Sequence, residues 1–138
     1  MDIKWQSKTL KNGIHVYVGG KGSPIVLLPG WPETAEAYSE VFSALSVDPP
    51  GLGDSEASTV EYDIQVISGL LEECIRTVML SSYHLVGHDV GVWIAYAWAA
   101  QFPDSVQSLT VLDCSFPGIA PPLLFLLPEE ANVKLWQF

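Results

Sequence analysis

Hydrophobic positions along this 138-residue chain fall into short runs punctuated by glycine and proline, and their period shifts between two and nearly four. From Trp5 to Val18 apolar and polar residues alternate on either side of an Asn12-Gly13 turn signal, with Ile14, Val16 and Val18 on one face. That pattern predicts a hairpin at a sheet edge. Ile25, Val26, Leu27 and Leu28 form a continuous apolar run closed by Pro29-Gly30, as expected of a strand covered on both faces in a parallel sheet. A helix from about Ala35 to Ala44 follows. Between Asp63 and Met79 the apolar residues Ile64, Ile67, Leu70, Leu71, Ile75, Val78 and Met79 recur at helical spacing, and Glu72 and Arg76 form an i,i+4 pair assigned to the outer side. A strand from Tyr83 to Gly87, an alanine-rich helix from Gly91 to Gln101 stopped by Pro103, and a strand from Gln107 to Asp113 come next. This alternation predicts an α/β fold built on a mostly parallel sheet, with the antiparallel hairpin at its start.

One join is too short for that scheme. Only Leu45, Ser46, Val47 and Asp48 separate the helix ending near Ala44 from Pro49-Pro50, whereas a strand takes about five residues and its loop about 2 to 6 more. Either the helix is cut short or the strand is a stub of two or three residues.

Composition narrows the function classes. Apolar residues are 49% of the chain and charged residues 16%, so it can build a core, and its length suits one. Sixteen acidic residues against six basic ones give a net charge of −10, which repels phosphate backbones and anionic headgroups and argues against nucleic acid as a partner. Cys74 and Cys114 lie far apart with no Cys/His cluster, so neither a disulfide framework nor a zinc site is indicated, and reduced thiols in a cytoplasmic protein are expected. Met1 to Leu10 is polar, unlike a signal peptide, and the longest apolar stretch, Ile119 to Leu127, falls well short of the roughly 20 residues that span a bilayer.

The candidate chemistry lies at Gly87-His88-Asp89-Val90-Gly91, between a predicted strand and a predicted helix. That is where a nucleophile elbow carries Gly-x-Ser-x-Gly, and here Asp89 replaces the serine. An ordinary glycine-containing loop with a capping aspartate would give the same five residues. A carboxylate is ionised at neutral pH and can attack an sp³ carbon without a base to deprotonate it, so epoxides and carbon–halogen bonds are its natural targets. Attack leaves an alkyl ester, which a histidine-activated water must then hydrolyse. Gly51-Leu52-Gly53-Asp54-Ser55 lacks the third glycine and immediate helix of a dinucleotide fingerprint and reads as a structural turn.

From Pro24 through Asp113 the chain resembles the α/β-hydrolase superfamily, and within it the epoxide hydrolases and haloalkane dehalogenases that use an aspartate nucleophile. Pro29-Gly30-Trp31-Pro32 resembles the family's His-Gly-x-Pro turn, with Pro29 in place of the histidine. The resemblance implies Asp89 as nucleophile and the N–H groups of Trp31 and Val90 as the oxyanion hole. It also marks Asp113 as a possible acid for orienting a histidine. The implied substrate is a small apolar organic molecule, an epoxide or a relative of one, with no metal, nucleotide or redox cofactor. All three histidines, His15, His84 and His88, precede Asp89, whereas the family's catalytic histidine comes late. Residues 1–115 then correspond to the first part of the core and 116–138 to the opening of a cap, so that the fold is incomplete. The expectations left open are an epoxide-hydrolase-like enzyme, an inactive truncated fragment of one, and a haloalkane-dehalogenase-like hydrolase. An open sheet edge offers a route to association with a partner.

Overall fold

The computed structural model describes residues 5–39, 44–59, 61–78 and 82–115. The Asn12-Gly13 signal produces the predicted hairpin: β1 (Gln6–Thr9) pairs antiparallel with β2 (His15–Val18), and Gly13 takes the positive φ of +79° that its turn requires. The apolar run becomes β3 (Ile25–Leu28), and Tyr83–His88 and Val106–Leu112 become β5 and β6. The remaining strand, β4, is Leu45–Val47, which resolves the short join as a three-residue stub.

Of the helix expected over Ala35–Ala44, the described residues form a single 3-10 turn, Ala35–Tyr38, and residues 40–43 lie outside the described set. Two hydrogen bonds fix this turn in place. The Asp48 carboxylate accepts the Ala35 N–H at 2.7 Å, and the Tyr38 hydroxyl donates to the Leu28 carbonyl at 3.1 Å, which draws the turn back over the end of β3. The expected cap opening at 116–138 lies outside the described residues.

The six strands form one sheet in the order β1-β2-β4-β3-β5-β6, antiparallel where β2 meets its neighbours and parallel from β4 to β6. After β3 the chain moves to one side to lay down β4, then crosses back to place β5 and β6 on the other. The order therefore reverses between β3 and β5, and such a reversal opens a crevice at the carboxyl ends of the two strands.

Two helices, α1 (Ile64–Val78) and α2 (Val90–Gln101), pack against each other and the sheet. The Asp63 carboxylate caps α1 by accepting the N–H groups of Gln65 and Val66 at 2.8 and 3.3 Å. Val26, Leu28, Leu45 and Leu85 from the strands meet Leu71, Ile75, Ala95 and Trp98 from the helices in one fully buried core. Among the described residues no helix is long and apolar enough to cross a membrane.

Glu72 does not face outward as its spacing suggests. Its carboxylate is buried and accepts hydrogen bonds from Tyr83, from Trp98 Nε1 at 2.8 Å, from Ser105 at 2.8 Å and from Arg76 Nε at 2.9 Å. Burial pushes the carboxyl pKa up. The bonds from Tyr83, Trp98 and Ser105, together with the Arg76 charge, outweigh that and hold it below the ordinary value of 4.5. Burial first, and then the bond to Glu72, push the Tyr83 hydroxyl far above its ordinary value of 10.0.

Because the folded pKa of Glu72 is depressed, its contribution to stability is present above about pH 4.5 and is lost as pH falls through the folded value. Glu72→Ala, which leaves the buried Tyr83 and Ser105 hydroxyls without their acceptor and Trp98 with Tyr83 alone, is expected to cost about 3 kcal/mol at neutral pH in denaturant unfolding. Glu72→Gln should flatten the acid limb of the stability profile below pH 4.5, and an unchanged limb would remove Glu72 from that role.

Candidate active site

A single residue turns the chain from β5 into α2. β5 ends at His88 and α2 begins at Val90, so Asp89 alone absorbs the change of direction, with φ +49° and ψ −122°. A side chain bearing a Cβ is strained there, at a cost of about 1–3 kcal/mol. The backbone of Asp89 is held on both sides: its N–H donates to the Leu112 carbonyl on β6 at 3.1 Å, and its own carbonyl accepts from Val92 at 3.0 Å.

The turn closes only because Gly91 and Gly30 lack side chains. A Cβ on Gly91 would lie 2.5 Å from the Pro29 carbonyl oxygen and 2.7 Å from that of Leu28, so helix α2 touches the end of β3 directly. The approach brings the loop after β3 onto the elbow. On that loop a Cβ at Gly30 would sit 2.7 Å from Asp89 Cβ and 2.9 Å from His88 Nδ1.

Asp89 lies at the point where the strand order reverses. Its Oδ2 accepts the Trp31 N–H at 3.0 Å. Pro29, the departure from the family's turn, leaves that donor in place. Val90, as the first residue of α2, has an N–H with no acceptor inside the helix, and the helix start adds a partial positive charge beside the carboxylate. Both N–H groups singled out from the sequence therefore belong to residues adjoining the nucleophile candidate or hydrogen-bonded to it.

Asp113 lies just past Leu112, whose carbonyl holds the Asp89 amide, and has φ +43°. Burial pushes the Cys114 thiol up, and the negative charges of Asp89 and Asp113 both act on it in the same direction. The two carboxylates thus share one corner of the sheet. The histidines have other partners: His15 Nδ1 lies 2.9 Å from Thr9, His84 Nδ1 lies 2.8 Å from Ser108, and His88 Nδ1 lies 3.0 Å from Glu33 Oε2.

Two further residues shape the site. Asp48 is 1% exposed and accepts from Ala35 through Oδ1 and from Asp54 through Oδ2 at 3.2 Å, while its carbonyl accepts from the Ser55 hydroxyl at 2.7 Å. It ties the Gly51–Ser55 turn to the loop that carries Trp31. Its position immediately before Pro49-Pro50 was the available signal. Glu33, two residues beyond Trp31, reaches back to His88. Tyr38 is pushed up to about 12, by burial first and then by the Glu33 charge. Beside this region, an apolar cavity of about 300 Å³ lies among Pro50, Leu52, Tyr62, Ile64, Ile67 and Ile94.

A mostly parallel six-stranded sheet in this order, with a strained acidic residue on a strand–helix elbow at the reversal point, defines an α/β-hydrolase core. The alpha/beta hydrolase fold family matches residues 23–137, and the chain belongs to that family. It is similar to a soluble epoxide hydrolase of Corynebacterium sp. (strain C12), 31% identical over 113 residues that make up 77% of this chain and 39% of that protein. A fluoroacetate dehalogenase of Burkholderia sp. is 31% identical over 112 residues, 72% of this chain and 37% of that protein. Among solved structures, Cfl2 from Burkholderia cenocepacia superposes with a TM-score of 0.78 and 34% identity over 96% of this chain and 48% of that one. The chain spans less than half the length of these relatives.

If the elbow is strained at Asp89, relieving the strain should show. Glycine in place of another residue ordinarily destabilises by about 0.5–1 kcal/mol relative to alanine. At this position the order should reverse, with Asp89→Gly more stable than Asp89→Ala by about 1 kcal/mol in chemical denaturation. The ordinary order would mean the positive φ carries no strain.

Proposed function

We propose that this chain carries the nucleophilic half of an epoxide-hydrolase-like active site, with Asp89 as nucleophile and the N–H groups of Trp31 and Val90 as its oxyanion hole. The observation that carries the reading is the hydrogen bond from Trp31 N–H to Asp89 Oδ2. A carboxylate pinned through one oxygen presents the other, Oδ1, as the attacking atom, and the orientation is set before substrate arrives.

Chemistry on that carboxylate runs in two steps. Oδ1 attacks a ring carbon of the epoxide, the carbon–oxygen bond breaks, and the departing oxygen keeps the electron pair and takes up a proton. Oδ2 then becomes the carbonyl oxygen of the ester. When water adds to that ester, negative charge gathers on Oδ2, which already lies against the Trp31 N–H and next to the start of α2. The oxyanion hole thus serves the enzyme's own carbonyl, as an aspartate nucleophile requires.

Activation of that water calls for a histidine, and no histidine occurs among residues 90–138. Asp113, at the end of β6, is suited to orient one. The crevice is flanked by Trp31, 41% exposed, and takes a small apolar organic substrate. The similarity to a soluble epoxide hydrolase supports an epoxide, and the similarity to a fluoroacetate dehalogenase supports a carbon–halogen bond as the second reading. Val90 follows the nucleophile where haloalkane dehalogenases commonly carry a tryptophan, which favours the epoxide. Free thiols at Cys74 and Cys114 suit a cytoplasmic setting.

Intact-mass spectrometry after incubation with styrene oxide tests the proposal. The expected result is a gain of one styrene oxide that persists in the wild-type chain and is absent from Asp89→Ala. No adduct, or one that survives in Asp89→Ala, would sink the assignment of the nucleophile.

A further inference from the structure

Two consecutive residues of the elbow each hold one residue of the loop after β3. Asp89 accepts the Trp31 N–H at 3.0 Å, and His88 Nδ1 lies 3.0 Å from Glu33 Oε2. A carboxylate can only accept, so Nδ1 is the donating nitrogen. Just before Trp31 stands Gly30, where a Cβ would come within 2.9 Å of His88 Nδ1 and 2.7 Å of Asp89 Cβ. Loop and elbow are therefore in direct contact along three residues, with Glu33–His88 as the outer fastening. Beyond it the loop is next fixed at Ala35, whose N–H reaches the buried Asp48.

We propose that Glu33 and His88 are positioning residues that clamp the Trp31 N–H onto the carboxylate of Asp89. The inference rests on the nucleophile reading above and assigns a role to the histidine adjacent to it. His88 commits Nδ1 to the loop instead of the crevice, so it acts through Trp31 and not as the base. The side chains of Glu33 and His88 are 44% and 31% exposed. A pair so open to water adds little to global stability, and its consequence is local geometry. Trp31 precedes a proline and is itself exposed, so the hydrogen bond to Asp89 and the fastening at Glu33 are what set the direction of its N–H. Small displacements of such a donor are costly, because an ångström of misplacement can slow a reaction by about a hundredfold.

The test compares Glu33→Ala, Glu33→Gln and His88→Ala in the full chain, with three readings: the thermal midpoint, the rate of Asp89 alkylation by styrene oxide, and hydrogen exchange at the Trp31 amide. With the clamp lost, both alanine variants should keep the wild-type midpoint, alkylate about tenfold more slowly and exchange the Trp31 amide about tenfold faster. Glu33→Gln retains an acceptor for His88 and should recover most of both losses. The exchange reading needs no chemistry. Should the wild-type chain give no adduct, faster Trp31 exchange in the alanine variants would still uphold the clamp while the nucleophile reading fell. Unchanged alkylation and exchange in both alanine variants would overturn it, as would a rate loss matched by a drop in midpoint. Loss of diol release with alkylation intact in His88→Ala would also overturn it, because His88 would then be the base.

Discussion

The close approach of α2 to the end of β3 governs the site. Contact at Gly91 sets the distance between strand and helix, and only one residue is left to turn the chain from β5. That residue must accept a positive φ, and an aspartate there meets the cost because both backbone groups and one carboxylate oxygen are hydrogen-bonded. The strain has a use. The Asp89 side chain makes no hydrogen bond to cap α2 and instead reaches the loop after β3 through Trp31.

The opposite end of β5 shows what this arrangement is anchored to. Tyr83 opens the strand and joins Glu72, Trp98 and Ser105 in a buried network that links α1, α2 and the sheet. A buried carboxylate with four donors is stabilising only as a complete set, since any missing partner leaves desolvated charge or an unmet donor. The strand that ends at the elbow therefore starts from a rigid point, and α2, which follows the elbow, returns to that point through Trp98. Both elements flanking Asp89 are held at their far ends by the same carboxylate.

Much of the architecture was legible as periodicity and punctuation. The hairpin, β3, α1, β5, α2 and β6 each carry local signals strong enough to place them, and Gly-x-Asp-x-Gly between a strand and a helix pointed to the elbow. Reading failed where a residue's role depends on a partner remote in the chain. Glu72 sits one helical turn from Arg76 and looks solvated, yet Tyr83, Trp98 and Ser105 converge on it from 11, 26 and 33 residues away. Asp48 and Glu33 are hidden for the same reason: the place of Asp48 before Pro49-Pro50 marks it locally, but nothing local reveals that it reaches Ala35 or that Glu33 reaches His88. The helix expected after Trp31 fails because short-range hydrophobic spacing cannot weigh the pull of Asp48 and Leu28 on its two ends.

The elbow also has a weak side. The Asp89 amide is held by Leu112, and among the described residues β6 is an edge of the sheet, with Val111 50% and Leu112 44% exposed. Edge strands open more readily than central ones, so the contact to Leu112 is less protected than one made inside the sheet. Were β6 to open, Asp89 would lose the support on its N–H while keeping those on its carbonyl and carboxylate, which come from α2 and the loop after β3. Asp113 follows Leu112 directly and moves with it. A contact on the outer side of β6 would steady the Asp89 amide through Leu112 and hold Asp113, the next residue, with it. The support of Asp89 is a property of the sheet edge as much as of the elbow itself.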